Sequence, residues 1–197
     1  NKLGIIGMQF SGKTFLLNKL QGISFKDVRT GREPYEEFTY KMQNGREIII
    51  AKGIDRGGGK AYLTDYPNII QSSDFILYLF DINKFLKNPK DSDGISYQRE
   101  CNSRFDFIHS LSGNLSSEKP IMIIGTHMDE TKLSDHQLRE RFFGIVQNKK
   151  YFDLIQNPIF INLIDENQRN QLKSDKCALI ADLEAVKASR KIADEAS

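Results

Sequence analysis

The sequence has only two cysteines among its 197 residues, Cys101 and Cys177. Neither belongs to a Cys-x-x-Cys pair, and neither has a histidine at the spacing of a metal ligand. This pattern excludes a disulfide framework and a cysteine-based zinc site, and we interpret both residues as reduced thiols of a cytoplasmic protein. A chain of this length buries a core that needs no disulfide or metal to hold it together.

The sequence also lacks an excess of either charge. It has 28 Lys and Arg residues against 26 Asp and Glu residues, for a formal net charge of +2. This balance argues against a nucleic-acid partner and against an acidic membrane surface. The longest apolar runs, such as 75–80, have the length of a strand, far below the roughly 20 residues of a membrane span. Because there is also no signal-peptide or lipidation motif, we expect no intrinsic membrane anchor.

Apolar segments and helical periodicity alternate along the chain. Segments of strand length lie at 2–6, 38–42, 47–51, 74–82, 120–125 and 158–163. Helical periodicity follows Lys13 and recurs near 97–108, 138–145 and 179–186. Asn44-Gly45 predicts a tight turn between the second and third strands, which makes these two antiparallel neighbours.

This order predicts an α/β fold: a doubly wound, mostly parallel six-stranded sheet with one antiparallel strand. We expect residues 1–197 to form a single domain. The first residue already lies in an apolar segment, so we also expect that the domain was excised from a longer chain.

The first strand is followed by Gly7-Met8-Gln9-Phe10-Ser11-Gly12-Lys13-Thr14, which fits the phosphate-loop pattern Gly-x-x-x-x-Gly-Lys-[Ser/Thr]. The motif lies between a predicted strand and a predicted helix, as its chemistry requires. Backbone N–H groups turn inward around phosphate oxygens, and the helix N-terminus adds its partial positive charge. Lys13 reaches the β- and γ-phosphates, and Thr14 supplies a hydroxyl to Mg²⁺.

Two further segments carry polar groups at the ends of strands. Asp55-Arg56-Gly57-Gly58 follows the third strand, where the carboxylate is suited to a Mg²⁺-bound water and the Gly58 N–H to a γ-phosphate. Thr126-His127-Met128-Asp129 directly follows the apolar strand at 120–125. The alternative for the first segment is a glycine-rich loop that only ends a strand.

With these segments the sequence resembles the Ras-like small GTPases over nearly its whole length. Residues 7–14 are similar to their first motif, 55–58 to their third and 126–129 to their fourth, usually [Asn/Thr]-Lys-x-Asp. The resemblance implies a small G-domain that binds GTP or GDP with Mg²⁺. The nucleotide contacts it implies are Gly7, Gln9, Phe10, Ser11, Gly12, Lys13, Thr14, Thr126, His127, Asp129 and Leu163.

The same resemblance implies roles for individual residues. Asp129 would accept hydrogen bonds from guanine, and Thr30 would close over Mg²⁺ and the γ-phosphate. Thr39 is the alternative to Thr30, but it falls inside a predicted strand. The metal ligands implied are Thr14, Thr30 and Asp55, and the catalytic residues are Lys13, Thr30, Gly58 and Gly59.

Three positions depart from the pattern of the family. His127 replaces the usual lysine, which resembles the variant of Roco-type domains, while the tract 57–59 resembles Arf, Rag and Roco relatives. No Ser-Ala-Lys occurs near Leu163, so any contact to guanine O6 comes from a backbone N–H. Gly59 stands where a glutamine usually orients the attacking water. Slow hydrolysis is therefore expected unless Arg29, Arg32, Arg56 or a partner supplies the missing group.

Three functional classes follow. The first is a GTPase switch whose two loops order around Mg²⁺·GTP and bind an effector or regulatory protein. The second is an ATP-dependent P-loop kinase, in which Asp129 would have no role. The third is a pseudo-GTPase scaffold that binds nucleotide without turning it over, and Gly59 makes it a serious alternative.

Overall fold

The computed structural model describes residues 2–22, 33–41, 45, 47–55, 64–113 and 121–163. Within these ranges the chain forms strands, α-helices and two short 3₁₀ turns. They are β1 (Lys2–Gly7), α1 (Lys13–Gln21), β2 (Glu33–Tyr35), β3 (Phe38–Lys41), β4 (Glu47–Ile50), β5 (Gly53–Asp55), α2 (Tyr66–Ser72), β6 (Phe75–Asp81), α3 (Ile82–Lys87), α4 (Tyr97–Gly113), β7 (Ile121–Thr126), a 3₁₀ turn (Met128–Thr131), α5 (Asp135–Val146), a second 3₁₀ turn (Phe152–Ile155) and β8 (Ile159–Phe160).

The main sheet has six strands in the order β3-β4-β1-β6-β7-β8. All its neighbours are parallel except β3 and β4. Every residue of β6 is buried, as expected for a central strand covered by helices on both faces. The predicted α/β fold, with a mostly parallel six-stranded sheet and one antiparallel strand, is therefore confirmed.

The antiparallel pair is the predicted hairpin, with Thr39 opposite Ile49. Thr39 is thus a sheet residue, as the sequence indicated. The pairing then breaks and resumes in the same register as a separate two-stranded sheet of β2 and β5, where Glu33 faces Asp55. The break follows Ala51, which is fully buried and donates its N–H to Leu3 O. The third predicted strand is therefore two strands, and Asp55 ends the second of them.

The core has two parts, one on each face of the main sheet. The first is rich in aromatic residues and packs α3, α4 and α5 against the sheet. Its centre is Phe80, whose ring meets those of Phe85, Phe105 and Phe142 at centroid distances of 5.6 to 5.8 Å. The second part packs α1 against the sheet through Leu16 and Leu17. These contacts confirm the predicted apolar stripes on α1, α4 and α5.

Some predicted elements differ from the structure. Helices α2 and α3 were missed because seven and six residues are too few for a helical period to stand out. Helix α3 is capped by Asp81, the residue before it, whose carboxylate accepts the Lys84 N–H at 2.9 Å. The last strand is only Ile159–Phe160, shorter than the predicted 158–163. The predicted helix near 179–186 and Cys177 lie outside the described residues.

No helix in the part of the chain that the structure describes is long and apolar enough to cross a bilayer.

Candidate functional site

The segment 7–14 is a tight loop between β1 and α1. Gly7 lies so close to β6 that a Cβ there would be 2.1 Å from Leu79 O, so only glycine fits. Phe10 and Gly12 have φ values of 57° and 83°, in the left-handed region. The loop then enters α1 with the Leu16 N–H bonded to Gly12 O at 2.9 Å. Strand, glycine turn and helix follow one another as the phosphate-loop motif predicts.

The loop turns its carbonyl groups toward donors of the protein. Met8 O accepts from the Ser11 hydroxyl at 2.7 Å and from the Lys13 ammonium at 2.6 Å. Ser11 is fully buried, so its hydroxyl is a fixed part of the loop. Loops of this kind bind anions through their backbone N–H groups. The Lys13 ammonium adds a positive charge inside the same loop.

Gly7 O is held by two donors that the sequence did not reveal. The Tyr66 hydroxyl from α2 donates to it at 3.2 Å, and the Arg104 guanidinium from α4 donates to it at 3.4 Å. Burial is the main cause that raises the pKa of Tyr66, so its hydroxyl keeps the proton it donates. Arg104 is almost fully buried and forms an ion pair with Glu100 one helical turn earlier.

Thr126 connects the predicted fourth motif to the loop. Its hydroxyl lies 3.1 Å from Ser11 O and 3.1 Å from Phe80 O, and 2.9 Å from His127 Nδ1. The hydroxyl has one proton. When one of the two carbonyls accepts it, the bond to His127 needs an Nδ1–H donor. The 126–129 segment is therefore joined directly to the loop, as the predicted site requires.

Asp81, at the end of β6, lies behind His127. Its Oδ2 is 3.6 Å from His127 Nδ1 and 3.7 Å from Lys84 Nζ. Burial is the main cause that raises the pKa of this carboxyl, although the Lys84 N–H and the charges of His127 and Lys84 act against it. The carboxylate favours the Nδ1–H tautomer of His127 that the Thr126 bond requires. His127 therefore faces Asp81 and Thr126, where the family has a lysine.

The remaining predicted contacts surround the loop. Asp129 is the second residue of the 3₁₀ turn after β7 and is exposed. Leu163 lies against the loop, because a Cβ on Gly12 would be 2.6 Å from Leu163 Cδ1. Gln9 is exposed, and so is Phe10. The structure thus brings Leu163 and the start of the 126–129 segment against the loop.

The structure does not describe the side chains of the other predicted site residues. Thr30, Gly58 and Gly59 lie outside the described residues, and so do the three loop arginines considered as alternatives. Of Asp55 the structure describes only its place at the end of β5. The catalytic and switch roles of these positions stay predictions.

The oxygen donors predicted for a metal suit Mg²⁺. Thr14 offers a hydroxyl in the first turn of α1, and Asp55 offers a carboxylate. Both are hard oxygen ligands, and Mg²⁺ takes few protein oxygens while keeping several waters. Among the residues described, no three His, Cys, Asp or Glu side chains form a group that could hold a metal ion.

Sequence reasoning missed Tyr66, Arg104, Asp81 and Lys84. One signal was present for Arg104, which lies on the apolar stripe of α4 between Cys101 and Ile108. A charged residue on a buried stripe is uncommon and needs a partner, so it marks a polar contact inside the fold. The periodicity alone identified only the apolar members of that stripe.

Comparisons with known proteins support the fold. No protein-family model matches the sequence, and no curated protein is significantly similar to it. Several solved structures are similar. The G235S variant of SsGBP has a TM-score of 0.60 and 19% identity, over 93% of this chain and 56% of its own. A GTP-binding protein from the archaeon Sulfolobus solfataricus, in complex with GDP, has a TM-score of 0.58 and 19% identity, over 92% of this chain and 53% of its own.

The mammalian SRP receptor structure is similar with a TM-score of 0.55 and 16% identity, over 82% of this chain and 90% of its own. At these identities the likeness concerns the fold. The chain therefore has the fold of these structures, and the fold that the resemblance implied is confirmed. It spans about half the length of the SsGBP chains it matches.

Proposed function

We propose that this chain binds guanine nucleotides with Mg²⁺, hydrolyses GTP slowly and works as a molecular switch. The observation that carries the proposal is the bond of the Thr126 hydroxyl to Ser11 O at 3.1 Å. It joins the segment that would select the base to the loop that would hold the phosphates. A phosphate loop alone is shared by many nucleotide-binding proteins, whereas this pair of segments is the one the resemblance associates with GTP.

Phosphate binding rests on the loop and on Lys13. The loop carbonyls of Gly7, Met8 and Ser11 are bound to protein donors, so the protein holds the loop in place. We expect backbone N–H groups of the loop to bind the phosphate oxygens. The Lys13 ammonium bonds to Met8 O at 2.6 Å and so lies at the loop itself. A bound di- or triphosphate would meet this positive charge together with the N-terminus of α1.

Base selection rests on Asp129. Its carboxylate follows the Thr126 anchor by three residues and is exposed, which leaves it accessible to a ligand. Guanine offers N1–H and a 2-amino group to such an acceptor, and adenine cannot satisfy both bonds. A similar structure, the archaeal GTP-binding protein, was determined in complex with GDP. Any O6 contact would come from the backbone near Leu163, whose side chain contacts the loop at Gly12.

Thr14, Asp55 and Thr30 would hold Mg²⁺ through oxygen atoms. The metal would neutralise part of the phosphate charge. Thr14 directly follows Lys13, so the proposed phosphate and metal ligands are consecutive residues.

Hydrolysis would be slow because Gly59 has no side chain to orient water. Gly58 would still offer its N–H to the γ-phosphate. Phosphoryl transfer in this class depends on positioning and on stabilisation of charge, so binding would survive while turnover suffers. The same residue favours the second candidate function, a scaffold that binds nucleotide without turning it over. An effector or regulatory protein would bind the segments around Thr30 and Gly58.

The test is a calorimetric titration with GDP, GTP and ATP in the presence of Mg²⁺, followed by single-turnover hydrolysis of GTP. We expect binding of GDP and GTP well ahead of ATP, with slow release of phosphate. Equal affinity for ATP would contradict the proposal and favour the kinase alternative. Guanine binding without any hydrolysis would favour the scaffold.

A further inference from the structure

Phe10 combines two unfavourable features. Its φ of 57° lies in the left-handed region, which bulky side chains avoid because the backbone is strained there. Its side chain is also 59% exposed, compared with 37% for Ile49, the other exposed large apolar residue of the described part. A single exposed apolar residue is ordinary, but one held in a strained backbone is not. Neither feature helps the fold, so both point to a ligand.

The surroundings of the ring show on which side of the loop it lies. Lys84 Nζ is 4.9 Å from the centroid of the Phe10 ring, within range of a cation–π contact. The same ammonium is 3.7 Å from Asp81 Oδ2, and Asp81 Oδ2 is 3.6 Å from His127 Nδ1. The ring is therefore linked through Lys84 and Asp81 to the segment that carries the proposed base-selecting residue.

Ser11, the residue after Phe10 in the loop, contacts the same 126–129 segment. Ser11 O is the carbonyl that Thr126 binds. Phe10 thus directly precedes the residue through which the loop is bonded to the 126–129 segment. A nucleotide whose phosphates bind the loop and whose base reaches Asp129 would span from the loop to this segment, which brings its nucleoside part near Phe10.

We propose that the Phe10 ring, supported by Lys84, is the surface against which the ribose and base of a bound nucleotide pack; this inference rests on the proposed function. The loop backbone binds phosphate and Asp129 binds the edge of the base, so neither contacts the faces of the nucleoside. An exposed aromatic face supplies that contact. Phe10 then distinguishes a nucleotide from a bare polyphosphate.

The test compares GDP with inorganic pyrophosphate, which has the same phosphates and no nucleoside. Both are titrated with Mg²⁺ into the parent protein and into Phe10→Gly, which removes the ring and accepts the left-handed backbone. We expect the ratio of GDP affinity to pyrophosphate affinity to fall by about tenfold or more, the usual effect of losing one stacked ring. Ile49→Ala is the matched control and leaves the ratio unchanged.

Two more variants separate the ring from the backbone. Phe10→Asn also tolerates a positive φ and has no ring, so it lowers the ratio as glycine does. Phe10→Trp keeps an aromatic face and retains the ratio. An equal loss of both ligands in Phe10→Gly, or unchanged GDP binding, would overturn the inference while leaving the proposed function standing. A parent protein that binds neither ligand would refute the proposed function and this inference with it.

Discussion

At the scale of single residues, Asp129 is the most direct test of base selection. Asp129→Ala removes the charged acceptor for the two guanine donors, and a hydrogen bond to a charged group contributes about 1.5–3 kcal/mol. We therefore expect GDP affinity to fall by roughly tenfold to a hundredfold, while pyrophosphate affinity stays the same. Asp153→Ala is the control, because Asp153 is also the exposed second residue of a 3₁₀ turn. A similar loss in both variants would exclude a specific role for Asp129.

Gly59 is the residue that separates binding from turnover. Gly59→Gln restores a side-chain amide at the position where the family orients water. We expect single-turnover GTP hydrolysis to rise while GDP affinity changes little, because the phosphate loop and Lys13 are untouched. The measurement is the rate of phosphate release from one equivalent of protein-bound GTP. Gly59→Ala is the control for the added Cβ. Fast hydrolysis by the unmodified protein would contradict the prediction and direct attention to Arg29, Arg32 or Arg56.

At the scale of elements, the loop is fastened to α2 and α4 through Tyr66 and Arg104. Arg104→Met leaves Glu100 without its partner and Gly7 O with one donor fewer. We expect the free energy of unfolding to fall by roughly 3 kcal/mol, the lower end of what breaking a buried pair costs. Arg99→Met, an exposed arginine of the same helix, should change it little. Urea unfolding of both variants is the measurement, and equal stability would contradict the assignment.

Tyr66→Phe removes only the hydroxyl that links the same carbonyl to Arg104. The expected loss is about 1 kcal/mol, as for one buried hydrogen bond. The Tyr66 hydroxyl also accepts from Arg104 at 3.3 Å. The loss of unfolding free energy in the Tyr66→Phe/Arg104→Met double variant should therefore be smaller than the sum of the two single losses. Simple additivity in the same urea experiment would show that the two side chains act independently.

The elements that sequence predicted correctly are those whose pattern is local. Asn44-Gly45 requires positive φ, and Gly45 has a φ of 82° before β4, so the hairpin was visible in a dipeptide. The succession of strand, tight loop and helix at 2–21 was visible because the phosphate-loop pattern fixes glycine, lysine and threonine at set spacings. Arg104 was not, because its partners Gly7 and Tyr66 come from distant parts of the chain. The sequence shows that His127 replaces the lysine of the fourth motif. That His127 lies beside Asp81 could be seen only in the folded structure.

At the scale of the whole molecule, the candidate site lies where the strand order reverses, beside β1. From β1 the chain goes to β4 on one side, and later to β6 on the other. The loop leaves β1 at this point, and Met8 N–H bonds to Leu79 O of β6 at 2.8 Å. In open α/β sheets, ligands bind at the carboxyl ends of the strands beside such a switch point. Thr126 and Asp81 end their own strands at the same edge, which is why residues far apart in sequence meet there.

The proposed site is assembled from several separate segments, so the affinity for GDP should depend on the Mg²⁺ that the phosphates share with them. Chelation of Mg²⁺ should speed the release of bound GDP by about tenfold or more, a difference of 1.4 kcal/mol, because the phosphates then lose their shared counter-charge. The measurement is displacement of a fluorescent GDP analogue after addition of EDTA, with EDTA presaturated with Mg²⁺ as the control. Thr14→Val removes the proposed hydroxyl ligand and should release GDP fast with or without EDTA. Release that EDTA leaves unchanged in the parent protein would mean that Thr14 and Asp55 hold no ion that matters to the nucleotide.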